Sequence, residues 1–469
     1  MIIKNAKFLL FSLCLSSAAV LNAATLAVLP GESIQAQIDA SSAGDIVAIF
    51  GGTYSEDITI NKAIRLVEVS GQEVSLLGDV TFDGVTDAPP FEGFTVGSSG
   101  KNIRVTDTTG LLIRAIDHRS GTALIINGSS ENTTIVDCTL NNFFHNAGVV
   151  ELVDSSLSGL VDQNGGDSLR ITNVTVAGGI TQRSGSLHTS IVTVGSSFNT
   201  TSSAVRTIAF RTTVGGDCEW YGNRSWFGYS AARSFNFYGS NAKVVVVGST
   251  INRLWRQDSG NDTADGLKLG GNNNQFVINN SVVKNVRSYW AGHDNNIDIS
   301  GAGNSAYILN NYLQKDNVDD RGEHYNIRIN GSTDVLIANN IFSNTVDGMV
   351  DAPFGVTVLN NHAIEGWIYV RDGVVATNTT SGSPGFVDSD PYQLGEGSPC
   401  INAGTEDPRY NDRDGSRNDI GPSGGAWYDP DGWTTENPVV ISFELSKDQI
   451  LEGDATPILL QEGLGVSIP

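Results

Sequence analysis

The stretch "ILNNYL", Ile308 to Leu313, sets two asparagines between two apolar pairs, and the wording recurs. "VINNSV" ends at Val282, "IANNIF" at Phe342 and "VLNNHAI" at Ile364, placing paired asparagines at 279–280, 310–311, 339–340 and 360–361. A unit that repeats at roughly twenty to thirty residues builds a solenoid. Each unit alternates apolar and polar residues over a few positions, which is the period of a strand. Asparagine suits a tight corner between strands because it tolerates left-handed backbone and can stack its amide on the copy above. The expected architecture is a parallel β-solenoid.

Working outward, "IVDCTL" (ending at Leu140), "RITNVTV" (Val176) and "VVVGSTI" (Ile251) extend the series. Helical periodicity is confined to "IQAQIDA", Ile34 to Ala40. The entry segment Leu29 to Glu68, with its amphipathic "SIQAQIDAS" followed by "GTYSE", resembles the opening of the right-handed parallel β-helix families of exported bacterial proteins. The resemblance implies an all-β, right-handed parallel β-helix of pectate-lyase-like type, capped at its open end by a helix near Ser33 to Ser41. Those families include pectate and alginate lyases, polygalacturonases, esterases, epimerases and non-catalytic surface proteins, so activity has to be read from a site. "GSPCINAGTEDPRYNDRDGSRNDIG", Gly397 to Gly421, resembles the closing segment of such helices. Asp412, Asp414, Asn418 and Asp419 offer hard oxygen donors there, a set that suits calcium. The competing reading is an Asx-rich turn that seals the end of the core.

The first 23 residues carry Lys4 and Lys7 ahead of an apolar run ending in small residues, the pattern of a secretory signal peptide. Residues 24–430 are assigned to the β-helix. Residues 431–469 form a tail with short β character, read as an edge addition or the start of an Ig-like module. The expected location is secreted, with no membrane span and a monomeric chain. The 469 residues hold 28 basic and 51 acidic side chains, a net charge of −23. That excess argues against nucleic acid as a partner, since it needs a basic footprint. Cys138, Cys218 and Cys400 are too widely spaced for a disulfide framework or a metal cluster and read as buried small apolar residues.

Placing "DGLKLGG" (265–271), "NNIDISG" (295–301) and "YNIRING" (325–331) beneath one another aligns Leu267, Ile297 and Ile327 as inward residues. Lys268, Asp298 and Arg328 then form one outward column, with Asn236 before them, each within reach of the next across a rung of about 4.8 Å. The polar corners leading into these strands hold Asp265, then His293, then Asp320, Glu323 and His324. Tyr289 and Trp290 lie close in sequence, and the segment Gly215 to Ser234 supplies Trp220 and Trp226 as a candidate aromatic wall. Rings beside polar groups are what a sugar needs, an apolar face with hydroxyl partners at its edge.

Two functions compete. One is a polysaccharide lyase or hydrolase acting on an acidic glycan, with His293, Asp298, Asp320, Glu323, His324 and Arg328 as catalytic candidates. Lys268, Tyr289, Trp290, Trp220 and Trp226 would bind substrate. For a lyase, cations neutralise the uronate carboxylate while a histidine moves the proton; a hydrolase needs paired carboxylates. The other is a non-catalytic exported scaffold that binds glycans along its face. An alternating charge column is also ordinary cross-strand pairing, worth about 0.2–1 kcal/mol per pair.

Overall fold

The computed structural model describes residues 23–428 with short interruptions at 70, 254–264, 286–294, 316–324, 333, 344–348, 354, 367, 369, 371–375 and 388–391, together with the strands 439–445 and 460–466. Parallel strands stack rung upon rung into three sheets, which the chain visits in a fixed cyclic order. Sheet I opens with Thr25–Val28, Ile46–Ile49 and Arg65–Glu68. It continues through strands such as Arg224–Gly228, Lys243–Val247 and Gln275–Asn279. Sheet II includes Thr250–Arg253, Val282–Asn285 and Tyr312–Lys315. Sheet III includes Ser234–Phe237, Leu267–Leu269, Ile297–Ser300, Ile327–Asn330 and Val350–Asp351. This is the right-handed parallel β-helix expected from the entry segment.

The end cap also matches expectation. Ile34–Ala40 is helical, Ser33 caps it by accepting from the Ala36 amide, and Ile34 and Ile38 turn into the core. Glu56, of "GTYSE", adds a second cap by accepting from the Ile34 amide at 2.6 Å. Inward residues fill one continuous apolar column from Val28 to Ile368. All three described cysteines are buried and unpaired with one another, as small core residues.

The asparagine pairs divide their labour. Asn280, Asn310, Asn339 and Asn360 adopt left-handed backbone, with φ between 48° and 58°. Such φ values are cheapest for glycine and asparagine. The next residue in each rung, Ser281, Asn311, Asn340 and Asn361, points inward. Its backbone N–H donates to the side-chain oxygen one rung on, at 2.9 Å from Ser281 to Asn311, Asn311 to Asn340 and Asn340 to Asn361. Hydroxyls extend the ladder backwards through Thr212, Ser230 and Ser249. The register differs by one residue from the sequence alignment at its first member: Asn280 stacks on Asn310, and Ser281 occupies the ladder position.

The closing segment does not seal the end of the core. It doubles back as a strap along the corner between sheets I and II, held by the outward asparagines. Asn360 donates to Gly404 O, Asn310 to Asp419 O at 2.7 Å, and Asn280 to Gly424 O at 2.6 Å. Gly424 is required where it sits, since a Cβ would fall 2.0 Å from the Asp419 carbonyl oxygen. Cys400, Ile420 and Tyr392 pack on Tyr312 and Ile341 and so cover the outer face of sheet II.

Asn340→Ala should be the most damaging single change to this scaffold. Its amide accepts from Asn311 and donates to Ile308 O, Ala338 O and Asn361, all buried. Orphaning those groups costs about 1–3 kcal/mol apiece. A urea titration should lower the unfolding midpoint by the equivalent of at least about 3 kcal/mol. The exposed Asn330→Ala should stay within about 0.5 kcal/mol of the parent.

Candidate functional site

Sheet III carries the expected column. Lys268 stands opposite Asp298, Asp298 opposite Arg328, and Arg328 opposite Asp351. Asn236 precedes Lys268 and Glu219 precedes Asn236. Leu267, Ile297 and Ile327 lie beneath with no exposed surface. Signs therefore alternate over four successive rungs, from Lys268 to Asp351.

Arg328 sits between two carboxylates, with Nη1 3.8 Å from Asp298 and Nε 3.9 Å from Asp351. Its side chain keeps 24% of its surface open, against 12% and 17% for its two partners. The guanidinium is thus braced from both sides and still reachable from outside. Both separations are ion pairs longer than a hydrogen bond, so the donors of Arg328 are not consumed by close bonds to these two acids.

Behind this column, at the corner between sheets II and III, lies Asp265, 2% exposed. One of its oxygens accepts from the Asn295 backbone at 2.9 Å and from the Asn295 amide at 3.1 Å. The same amide reaches Asp298 at 3.4 Å, so a single side chain links the two carboxyls. Asn295 Oδ1 in turn accepts from the Tyr325 backbone, and Arg253 donates to the Asp265 carbonyl. Burial, and then the charge on Asp298, push the Asp265 carboxyl up to about 7. It changes charge near neutrality, beside a column of alternating charge.

Asp265, noted in the sequence only as one corner acid among several, is the functional candidate whose weight was missed. The signal was its place two residues ahead of an inward leucine, matched one rung on by Asn295 ahead of Ile297. His293, Asp320, Glu323, His324, Tyr289 and Trp290 lie outside the described residues. Tyr289, Trp290 and His293 lie in sequence between the strands Val282–Asn285 and Ile297–Ser300, and Asp320, Glu323 and His324 between Tyr312–Lys315 and Ile327–Asn330.

Two aromatic assignments need correction. Trp220 points into the core, fully buried, with Nε1 donating to Phe198 O at 3.0 Å and its ring edge-on to Phe235. Trp226 lies on the outer face of sheet I, packed with Ile208 and Phe210. The segment Gly215 to Ser234 is no wall: it forms ordinary rung strands Asp217–Trp220, Arg224–Gly228 and Ala231–Ala232. Tight β-branched and aromatic alternation made core strands look like an aromatic wall.

The oxygens of the 412–419 loop serve the strap. Asp412 accepts from the Asp419 and Gly425 amides, Asp414 from Ser416, and Asn418 exchanges hydrogen bonds with Asn310. Burial, then the charges of Asp412 and Asp414, push the Asp419 carboxyl up to about 6. Among the described residues no three His, Cys, Asp or Glu side chains converge as a metal cage. No described helix is long and apolar enough to cross a membrane.

Fold and column together define a parallel β-helix with a charged column on the outer face of one sheet. No family model and no curated protein sequence matches the chain. Among solved structures, the crystal structure of pectate lyase Pel9A is similar at 18% identity, covering 85% of this chain and 95% of that one, with a TM-score of 0.28. A mannuronic acid specific polysaccharide family 6 lyase from human gut microbiota is similar at 12% identity, covering 77% and 92%, with a TM-score of 0.22. Those activities belong to those two proteins.

The Asp265 carboxyl gives a signed pH prediction. Its folded pKa lies well above the ordinary aspartate value, so the fold binds its proton more tightly than the unfolded chain does. Stability from this group is complete below about pH 4 and is lost as pH rises through about 7. Asp265→Asn keeps an acceptor for Asn295 and removes the charge. Melting temperature against pH should therefore fall less steeply between pH 4 and 7 in the variant than in the parent.

Proposed function

We propose that this protein binds an acidic polysaccharide on the outer face of sheet III and cleaves it by β-elimination. The observation supporting this is the Lys268–Asp298–Arg328–Asp351 column. It presents cations at fixed rung spacing on rigid strands, each flanked by an anion that sets its position. Groups held this way keep their geometry better than groups on a free loop. A repeating uronate chain presents carboxylates at intervals, and an alternating column meets it with cations while repelling any carboxylate out of register.

In the reaction, Arg328 and Lys268 neutralise the uronate carboxylate, so that charge developing on it in the transition state is stabilised more than in the ground state. A base removes the proton α to that carboxylate. The electron pair forms the new carbon–carbon double bond, and the glycosidic oxygen departs with a proton. His293 or His324, read from the sequence, supplies the base near neutral pH. Asp265, taking up its proton near neutrality one amide away from Asp298, sets the net charge of the groove.

One observation favours a second reaction on the same groove. Asp265 and Asp298 share the Asn295 amide, and a raised carboxyl beside another acid is the arrangement of a glycoside hydrolase. Both carboxyls are nearly buried, which is why elimination is the preferred reading. The 412–419 loop is read as a clasp for the strap.

A panel of acidic and neutral polysaccharides tests this. Ultraviolet absorbance of the unsaturated product reports elimination, and new reducing ends without that absorbance report hydrolysis. Arg328→Gln and Lys268→Ala should each lower turnover on the acidic substrate by about a hundredfold or more, as loss of a transition-state donor does. The β-sheet circular dichroism should stay that of the parent. Full activity in both variants would rule the groove out.

A further inference from the structure

Trp220 and Trp226 do not stand beside the charged column, but two tyrosines do. Trp220 and Phe237 end successive strands of sheet III, opposite one another and fully buried. The residues that follow them, Tyr221 and Tyr238, face outward at the rim of the sheet and are half-buried. Their ring centroids lie 5.3 Å apart with the planes inclined by 35°. That separation is close to one rung, so the rings make a continuous aromatic floor along the helix axis. Neither phenol hydroxyl has a hydrogen-bond partner among the described residues.

One rung beyond Tyr238 the rim position is Gly270, whose amide donates to Phe237 O at 2.7 Å. A Cβ on Gly270 would stand 3.4 Å from Phe237 O, 3.7 Å from Tyr238 Cδ1 and 3.8 Å from Ser300 Oγ. Those are ordinary contacts, so the backbone does not demand glycine there. What glycine does is keep any side chain from coming between the Tyr238 ring and the Ser300 hydroxyl. Two residues back along the same strands stand Glu219, Asn236 and Lys268. Lys268 is therefore one rung from Tyr238 and Arg328 three, about 14 Å along the axis. Burial, then Glu219, Tyr221 and Asp265, push the Tyr238 phenol up, so its hydroxyl stays a neutral donor.

We infer that Tyr221 and Tyr238 form a stacking subsite for a sugar ring of the acidic glycan, on the N-terminal side of Lys268. This rests on the reading that a uronate chain lies along sheet III. A pyranose offers an apolar face of C–H groups and an edge of hydroxyls. The tyrosine rings meet the first, and the Tyr238 and Ser300 hydroxyls with the Asn236 amide meet the second. Floor and cations lie in line along one axis, so a chain held by Lys268 and Arg328 runs onto the rings. The subsite adds affinity without touching the bond that breaks, and it favours chains long enough to reach it.

Nitration of the full-length protein with tetranitromethane tests it, in the free state and under a large excess of polygalacturonate or of polymannuronate. Peptide mapping should show Tyr221 and Tyr238 nitrated in the free protein and protected several-fold by the polymer that binds. Tyr307, 45% exposed on sheet I, is the internal control and should be nitrated equally in both states. By calorimetry, Tyr238→Ala should weaken binding of an octasaccharide of that polymer about tenfold, and Tyr238→Phe far less. The inference is overturned if either ring resists nitration in the free protein. It is overturned equally if Lys268→Ala abolishes binding while the polymer leaves both tyrosines unprotected, a result that would keep the sheet III reading intact. A protein that binds neither polymer would overturn both.

Discussion

From Thr212 to Asn361 each rung donates to the next through the ladder between sheets I and II, and this fixed vertical register governs the rungs that carry the charged column. A backbone N–H at Ser281, Asn311 or Asn340 finds its acceptor only when the following rung sits in register. In low-dielectric surroundings an unmade bond of this kind is expensive, so slippage by one residue is penalised at every step. Register then fixes which side chains face out together. Lys268, Asp298, Arg328 and Asp351 are neighbours because the ladder aligns their rungs, although 83 residues separate the first from the last.

Two outward columns built on the same scaffold show how charge order encodes different uses. On sheet III the signs alternate, so the column is balanced internally and can offer a cation to a substrate without disturbing its neighbours. On sheet I three cations, Arg206, Arg224 and Lys243, repeat in successive rungs. The strap follows the same logic through hydrogen bonds: left-handed asparagines expose amides that only a returning chain can satisfy. In the proposed reaction Arg328 is the key cation, being two-thirds or more buried yet still open to solvent on one side.

Much of this was legible in the sequence, and the failures have physical causes. Thirty residues separate Lys268 from Asp298 and again Asp298 from Arg328, so direct superposition gave the correct register. Only 17 residues separate Glu219 from Asn236, whereas 32 separate Asn236 from Lys268. The period is set by how much chain each corner carries, and uneven corners hid the short rungs, which is how Trp220 was taken for a wall residue. Period-two alternation reports which residues face out but not onto which of three sheets, so Trp226 was placed near the groove. The strap was unreadable because its partners, Asn280 to Asn360, are between 43 and 144 residues away in sequence. The candidates outside the described residues keep the standing the sequence gave them.

The central claim is that acidic glycan lies on sheet III over the Lys268–Arg328 column, and amide hydrogen exchange with and without an acidic oligosaccharide tests it most directly. The account predicts slowed exchange confined to the strands 267–269, 297–300 and 327–330 and the corners entering them, with sheets I and II unchanged. Protection on sheet I around Arg206 to Lys243, or on no strand at any oligosaccharide concentration, would contradict it.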